Sequence, residues 1–243
     1  MLKFIIQAKN GVVSRVEEFE LIKDLERRKF LRQYEYILSE TPIRPDIEDI
    51  ADYIPVGTIE YCEMHLKEYF GIEKMTPIEV PEELRVYKFL KRKYTICSRD
   101  ELPDDGYWFV KKIDRLKEFT NLGVVGLYKH SLEDGTYVVS EPVEIYSEYR
   151  VFVLNGVLQG VQFYQGDSLE FPSADFIRDM IREYEKVENR PKAYTMDIAT
   201  TDRGNVLLEV HSFVSCGTYG LYTEQLPLMY KLGYEYYKLG GKQ

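Results

Sequence analysis

No apolar run in the sequence approaches the roughly 20 residues that a membrane-crossing helix needs, so no membrane span is expected. Cysteine is scarce. Cys62, Cys97 and Cys216 are widely spaced, odd in number and in no metal-binding pattern. That excludes a disulfide scaffold and suggests a reducing compartment, so a cytoplasmic location is expected. There is no excess of basic residues: 32 Lys and Arg stand against 41 Asp and Glu, for a formal charge of −9. A general nucleic-acid surface is therefore not expected, because holding a phosphate backbone takes clustered cations. A local basic pocket for one nucleotide remains open. The chain also lacks a GxGxxG fingerprint, long repeats and low-complexity segments. Its first residues, MLKFIIQAKNG, have too short an apolar stretch and no small-residue cleavage site for a signal peptide. They are expected to form a first strand.

What is present is a globular composition, 44% hydrophobic and 30% charged over 243 residues. That length accommodates one large domain or two intimate ones. Residues 1–95 read as a leading α/β region, with a strand at 2–8 and helical segments over 16–39. The run YIPVG, followed by TIEYCEMHLKEYFG, reads as strand, glycine turn and helix. His65 lies on the apolar stripe of that helix and is expected to be packed. After Pro77 and Pro81 a helix is expected over 82–89. The basic cluster Lys88, Lys91, Arg92 and Lys93 then reads as a solvated helix end, or as a phosphate or partner contact. From about residue 96 the pattern changes to short strands. Residues 176–188 and 225–238 read as amphipathic helices.

The stretch 193–212, AYTMDIATTDRGNVLLEVHS, reads as two strands, 194–200 and 206–211, around a five-residue polar loop. That register sets Asp197 opposite Glu209, with Cβ atoms about 5 Å apart. Facing carboxylates repel unless a cation lies between them. Asp197 and Glu209 are therefore candidate ligands for Mg²⁺, which takes one or two carboxylates and completes its octahedron with phosphate oxygens and water. His211, two residues past Glu209 on the same strand face, is the third candidate. The alternative is a slipped register or a solvent face on which the two acids never meet.

Three other stretches carry charge or broken pairing where it is costly. Lys111, in a strand over 107–113, shares its face with Phe109 and Tyr107; it must snorkel to water or meet an anion such as phosphate. Lys117 is a further phosphate candidate, or a surface residue. The strand 137–143 runs into Pro142, which cannot donate to a ladder. The Glu141 carbonyl and the Val143 amide are thus free to meet the amine and ring nitrogen of adenine, though any bulged edge would read the same. In EYRVFVLNGVLQGVQFY, Asn155-Gly156 is a strong hairpin signal that sets Arg150 opposite Val161. Arg150 either pairs with Glu148 or contacts a phosphate. The loop after His211 borders the proposed site; its Ser215 and Cys216 could touch a substrate, but a nucleophilic role for Cys216 is not expected.

In order, FVKK with Lys111, SEPVEIYSEYRVFVLNG with Glu141, Glu148 and Arg150, YTMD with Asp197 and LLEVH with Glu209 resemble an ATP-grasp protein over about residues 96–225. The EYRVFV-type strand resembles that of the divergent phage and bacterial clade that includes the eukaryotic assembly protein for translation initiation factor 2. The resemblance implies an α+β, ATP-grasp fold: two α+β lobes over 96–243 with nucleotide between them. It implies ATP as substrate, with Lys111 on the phosphates, the interrupted strand on adenine and Glu148 on the ribose. It also implies Mg²⁺ on Asp197 and Glu209. The activity implied is that of a carboxylate–amine ligase working through an acyl phosphate, with Lys111 and Arg150 as catalytic charges and an acid and an amine, small or on a peptide or protein, as partners. Two rivals stand beside it, an ATP-binding assembly factor and a kinase that stops at a phosphorylated acceptor. The chain departs from the pattern in two places. His211 stands where the family has asparagine, and imidazole favours softer metals than Mg²⁺. No glycine-rich phosphate loop is evident between Ile113 and Tyr137.

Overall fold

In the computed structural model, which describes residues 1–116 and 118–241, the chain opens with β1 (Leu2–Gln7), α1 (Val16–Arg27), β2 (Tyr34–Ser39), β3 (Ile54–Val56) and α2 (Ile59–Phe70). The three strands form a parallel sheet in the order β2-β1-β3. A central parallel strand is covered on both faces and reads as a continuous apolar run; Phe4, Ile5 and Ile6 are all fully buried. The expected helical stretch 16–39 holds only as far as Arg27 and a single 3₁₀ turn. Arg32 then takes a left-handed backbone that ends the turn, and YEYILS runs beside β1 as β2. Helix α2 is bounded as its sequence suggests. The Thr58 hydroxyl accepts from the Tyr61 amide, and Gly71 ends the helix with φ +69°.

The stretch expected as one helix over 82–89 is two short turns, at Glu82–Leu84 and at α3 (Tyr87–Leu90). So few residues gain too little from helical hydrogen bonds to hold one continuous helix. Next come β4 (Tyr94–Ser98), β5 (Tyr107–Lys112), β6 (Thr120–Val124) and β7 (Thr136–Ser140). They form an antiparallel sheet in the order β4-β7-β5-β6, over a small core of Leu102, Val110, Val125, Tyr137 and Val139. Strand β7 stops at Ser140, three residues short of expectation, because Pro142 cannot continue it.

The remaining strands are β8 (Ile145–Leu154), β9 (Val157–Gly166), β10 (Ala193–Thr201) and β11 (Gly204–Ser212), with α4 (Ala174–Tyr184) between β9 and β10 and α5 (Leu226–Lys238) at the end. They pair antiparallel in the order β11-β10-β8-β9. Alternation splits this sheet's residues between two cores. Val151, Val153, Met196 and Ile198 pack with Ile177 and Met180 of α4. Phe152, Leu154 and Ala193 pack on the other side with α5. The same core takes in Phe4 and Ile6, so α5 joins the first sheet to the last. Gly233 lets it approach: a Cβ there would lie 2.2 Å from the Phe213 carbonyl oxygen, and the Gly233 carbonyl accepts from the Ser212 hydroxyl. Among the described residues no helix is long and apolar enough to cross a membrane. The architecture is α+β, as expected.

Candidate active site

Three neighbouring strands carry a row of polar residues across the larger sheet. Asp197 of β10 faces Arg150 of β8 on one side and Glu209 of β11 on the other. The Asp197–Glu209 pairing agrees with the sequence reading, but by another route. Thr201 pairs with Gly204, so the loop is two residues, Asp202 and Arg203, and not five. Leu208 is an extra, bulged residue between the partners of Asp197 and Ile198, and it restores the register. The β8–β9 hairpin closes at Asn155-Gly156 as expected, with φ of +48° and +75°. A bulge at Gln159 then shifts the pairing, so Arg150 faces Gln162 instead of Val161.

Each charge in the row has a partner. Arg150 grips Asp197 as a fork, Nε to Oδ1 at 2.7 Å and Nη2 to Oδ2 at 2.6 Å. It does not pair with Glu148, which accepts instead from the Tyr164 hydroxyl at 2.7 Å. The guanidinium also donates to the Gly217 carbonyl and lies 5.1 Å from the Tyr219 ring, which stacks on Tyr164. Lys111 does not snorkel. It reaches Glu209 Oε2 at 2.7 Å and, unanticipated, Glu79 Oε1 at 2.6 Å. His211 Nε2 meets the other oxygen of Glu209 at 2.7 Å.

Burial alone would lower the Lys111 pKa, but the Glu209 and Glu79 carboxylates override it and the shift is upward. Burial likewise opposes charge on Glu209 and His211. Their mutual attraction wins, holding Glu209 below the usual carboxylate range and raising His211. Glu148 moves upward, chiefly through burial, with Asp197 and Glu209 adding repulsion. Burial brings the Arg92 guanidinium down to about 10, still charged at neutral pH.

One ligand atom from each of Asp197, Glu209 and His211 lies within 4.8 Å of the other two. All four carboxylate oxygens already take an N–H donor, yet each carboxylate offers about four lone-pair sites. The two acids therefore fit a divalent cation alongside their present partners. His211 fits less well, since its Nε2 is engaged with Glu209.

Two cavities adjoin here. The first, about 350 Å³, lies between the two antiparallel sheets. It is lined by Lys111, Glu141, Val143, Glu148, Asp197 and Glu209, with Tyr94 of β4 and Arg92 just before it. The second, about 400 Å³, takes in Arg150, His211, Ser215, Cys216 and Tyr219. Glu79, Phe109, Lys111 and Glu209 line both. The structure thus brings together every expected site residue except Lys117, which lies outside the described residues.

Glu141 holds the sheet-to-sheet crossing. Its carboxylate accepts from the Lys93 amide and from Arg203. Its carbonyl is not free, contrary to the sequence reading, but accepts from the Ser140 hydroxyl at 3.1 Å, which leaves one lone pair for a ligand. Arg92, read as part of a solvated helix end, is instead buried, bonded to Ser140 and to the Leu90 carbonyl. Burial raises the Cys216 thiol to about 11, which disfavours the thiolate a nucleophile needs. His65 is packed as expected, between the Tyr234 hydroxyl and the Ile50 carbonyl.

The fold resembles that of solved structures. The RimK domain protein ATP-grasp from Sphaerobacter thermophilus superposes with a TM-score of 0.55 at 13% identity, covering 95% of this chain and 98% of that one. D-alanine–D-alanine ligase from Bacillus anthracis, complexed with ATP, gives 0.54 at 11% identity over 99% of both chains. N5-carboxyaminoimidazole ribonucleotide synthetase from Thermotoga maritima gives 0.53 at 14%, over 96% of this chain and 76% of that one. No curated protein sequence matches at a significant level. Residues 89–227, more than half of the sequence, match the model of an ATP-grasp domain family, the second family of one clade within that superfamily. The chain belongs to that ATP-grasp family.

Proposed function

We propose that the protein is an ATP- and Mg²⁺-dependent carboxylate–amine ligase, joining an acid and an amine as an amide. The observation that supports this best is the pair of adjoining cavities with Lys111 and Glu209 in their common wall. A nucleotide in the first would present its terminal phosphate at that wall, and an acid in the second would meet it there. In this reading the Glu141 carbonyl and the Val143 amide hold adenine, Glu148 takes the ribose, and Lys111 and Arg150 carry the positive charge that phosphoryl transfer needs. Lys117 is kept as a phosphate ligand. Asp197 and Glu209 would hold the divalent ion, with His211 at its side; once bound, that ion would neutralise phosphate oxygens.

Phosphoryl transfer breaks the bond to ADP and makes one to the acid's oxygen. The amine then attacks the acyl carbon, loses a proton and displaces phosphate. Such steps depend mainly on positioning and charge neutralisation. The acid and amine are small molecules or groups on a peptide or protein.

One observation favours the assembly-factor reading: Arg150, Lys111 and His211 already occupy every oxygen of Asp197 and Glu209. Incubation with ATP, Mg²⁺ and panels of acids and amines separates the readings. Amide formed in step with ADP supports the ligase, and its absence in an Asp197→Asn protein that is still folded ties it to this site. ADP with a stable phosphorylated acceptor would mean a kinase, and tight ATP binding without any turnover would reject catalysis.

A further inference from the structure

Glu79 lies outside the matched family region, in a proline-flanked stretch ahead of the strands that carry the site. Its backbone is left-handed, with φ +55°. A residue other than glycine, asparagine or aspartate pays roughly 1–3 kcal/mol for such a conformation and persists there when its surroundings demand it. The surroundings are visible. The Glu79 carbonyl accepts from the Val210 amide at 3.0 Å, pinning the residue to the edge of β11 beside Glu209. The side chain is 5% exposed, and its carboxylate meets Lys111 at 2.6 Å. Glycine would relieve the backbone and lose this contact.

The consequence is a charge count. The ammonium of Lys111 is shared by two carboxylates, Glu79 and Glu209, and Arg150 is matched by Asp197. A free triphosphate arriving here meets a lysine already held by two carboxylates, Glu79 by itself and Glu209 shared with His211. A divalent ion brings two positive charges and gives Glu209 a further partner besides Lys111 and His211, which loosens its hold on Lys111. We infer that Glu79 is a specificity-determining residue that makes this site select the metal complex of its nucleotide over the free nucleotide. The inference rests on the nucleotide reading above. Asp197 and Glu209 serve both forms of that reading, catalytic and not, whereas Glu79 sets only the preference between ligands.

The test is calorimetric and needs no acid or amine. ATP is titrated into the full chain in EDTA and again in Mg²⁺, for wild type, Glu79→Gln and Glu79→Asp. Removing one negative charge next to the phosphate-binding lysine should strengthen binding of metal-free ATP by about tenfold. The affinity in Mg²⁺ should change much less, so the metal dependence shrinks. Glu79→Asp, which keeps the charge, should retain most of it. A residue that only held the fold together would weaken both titrations alike, and that result, or no change in either, overturns the inference. Should Glu79→Gln melt early, Glu79→Asn removes the charge with a residue that tolerates the left-handed backbone, and the same shift is expected. Wild type that binds no ATP in either buffer would sink the nucleotide reading itself, and this inference with it. Wild type that binds ATP while Glu79→Gln and Glu79→Asn keep its metal dependence sinks this inference alone.

Discussion

Arg150 and Asp197 face each other on adjacent antiparallel strands and close a two-bond fork, both side chains at most 10% exposed. A buried pair of this kind adds little beyond an apolar pair, but breaking it strands the remaining charge. Asp197→Asn should therefore lose stability as well as turnover, by about 3 kcal/mol. The double variant Arg150→Met, Asp197→Leu should recover most of that loss. Urea unfolding of the three proteins decides; a single variant as stable as wild type would show that Arg150 finds compensation elsewhere when its partner is neutral.

Glu148 offers a sharper probe of nucleotide binding. If its carboxylate takes the ribose, wild type should prefer ATP to 2′-deoxyATP by about tenfold, the worth of one hydrogen bond to a charged group. Glu148→Ala should bind both equally. Competition binding measures the ratio, and a preference that survives the substitution assigns the ribose elsewhere.

His65 gives the fold a pH dependence of its own. Its ring is buried and bonded as the neutral form, and burial lowers its pKa to about 4 from 6.5. The unfolded chain binds this proton more readily, so the contribution to stability is complete above pH 6.5. It is lost progressively as pH falls toward 4, by up to about 3 kcal/mol. Urea midpoints across that window should fall in wild type and fall less in His65→Gln. Parallel slopes would remove His65 as their source.

Gly233 permits α5 to lie against the end of β11. Gly233→Ala would force a methyl group onto the Phe213 carbonyl. The expected result is a loss of about 2 kcal/mol, since overpacking a closed contact typically costs roughly 1–3 kcal/mol. An unchanged melting temperature would mean that the helix slides freely.

The sequence carried the site further than its surroundings. The acids of YTMD and LLEVH are one turn apart in the chain, so local pattern sufficed to make them neighbours, and a miscounted loop was offset by the bulge at Leu208. Arg150 and Asp197 are joined by a hairpin and a helix, and no local period says which strands will lie side by side. Strand spacing alone therefore offers Arg150 only Glu148, its neighbour along the strand, or a phosphate. The Glu79–Lys111 contact is hidden in the sequence for a similar reason. Only the place of Glu79 as an acid among apolar residues between two prolines, PIEVP, hints at it. Residues 34–39, YEYILS, carry the aromatic and branched side chains that strands favour, but they follow a helical run without a proline or glycine to mark the change.

The core shared by Phe4, Ile6, Met229, Tyr230 and Tyr234 has a temporal consequence. A ribosome adds about 5–20 residues per second. Leu21, Leu25 and Leu66 reach Phe4 and Ile6 early, but the share of the core that α5 supplies follows β1 by on the order of tens of seconds. Until then the part of this core that Met229, Tyr230 and Tyr234 fill stays open, an interval in which a holding chaperone would have something to grip.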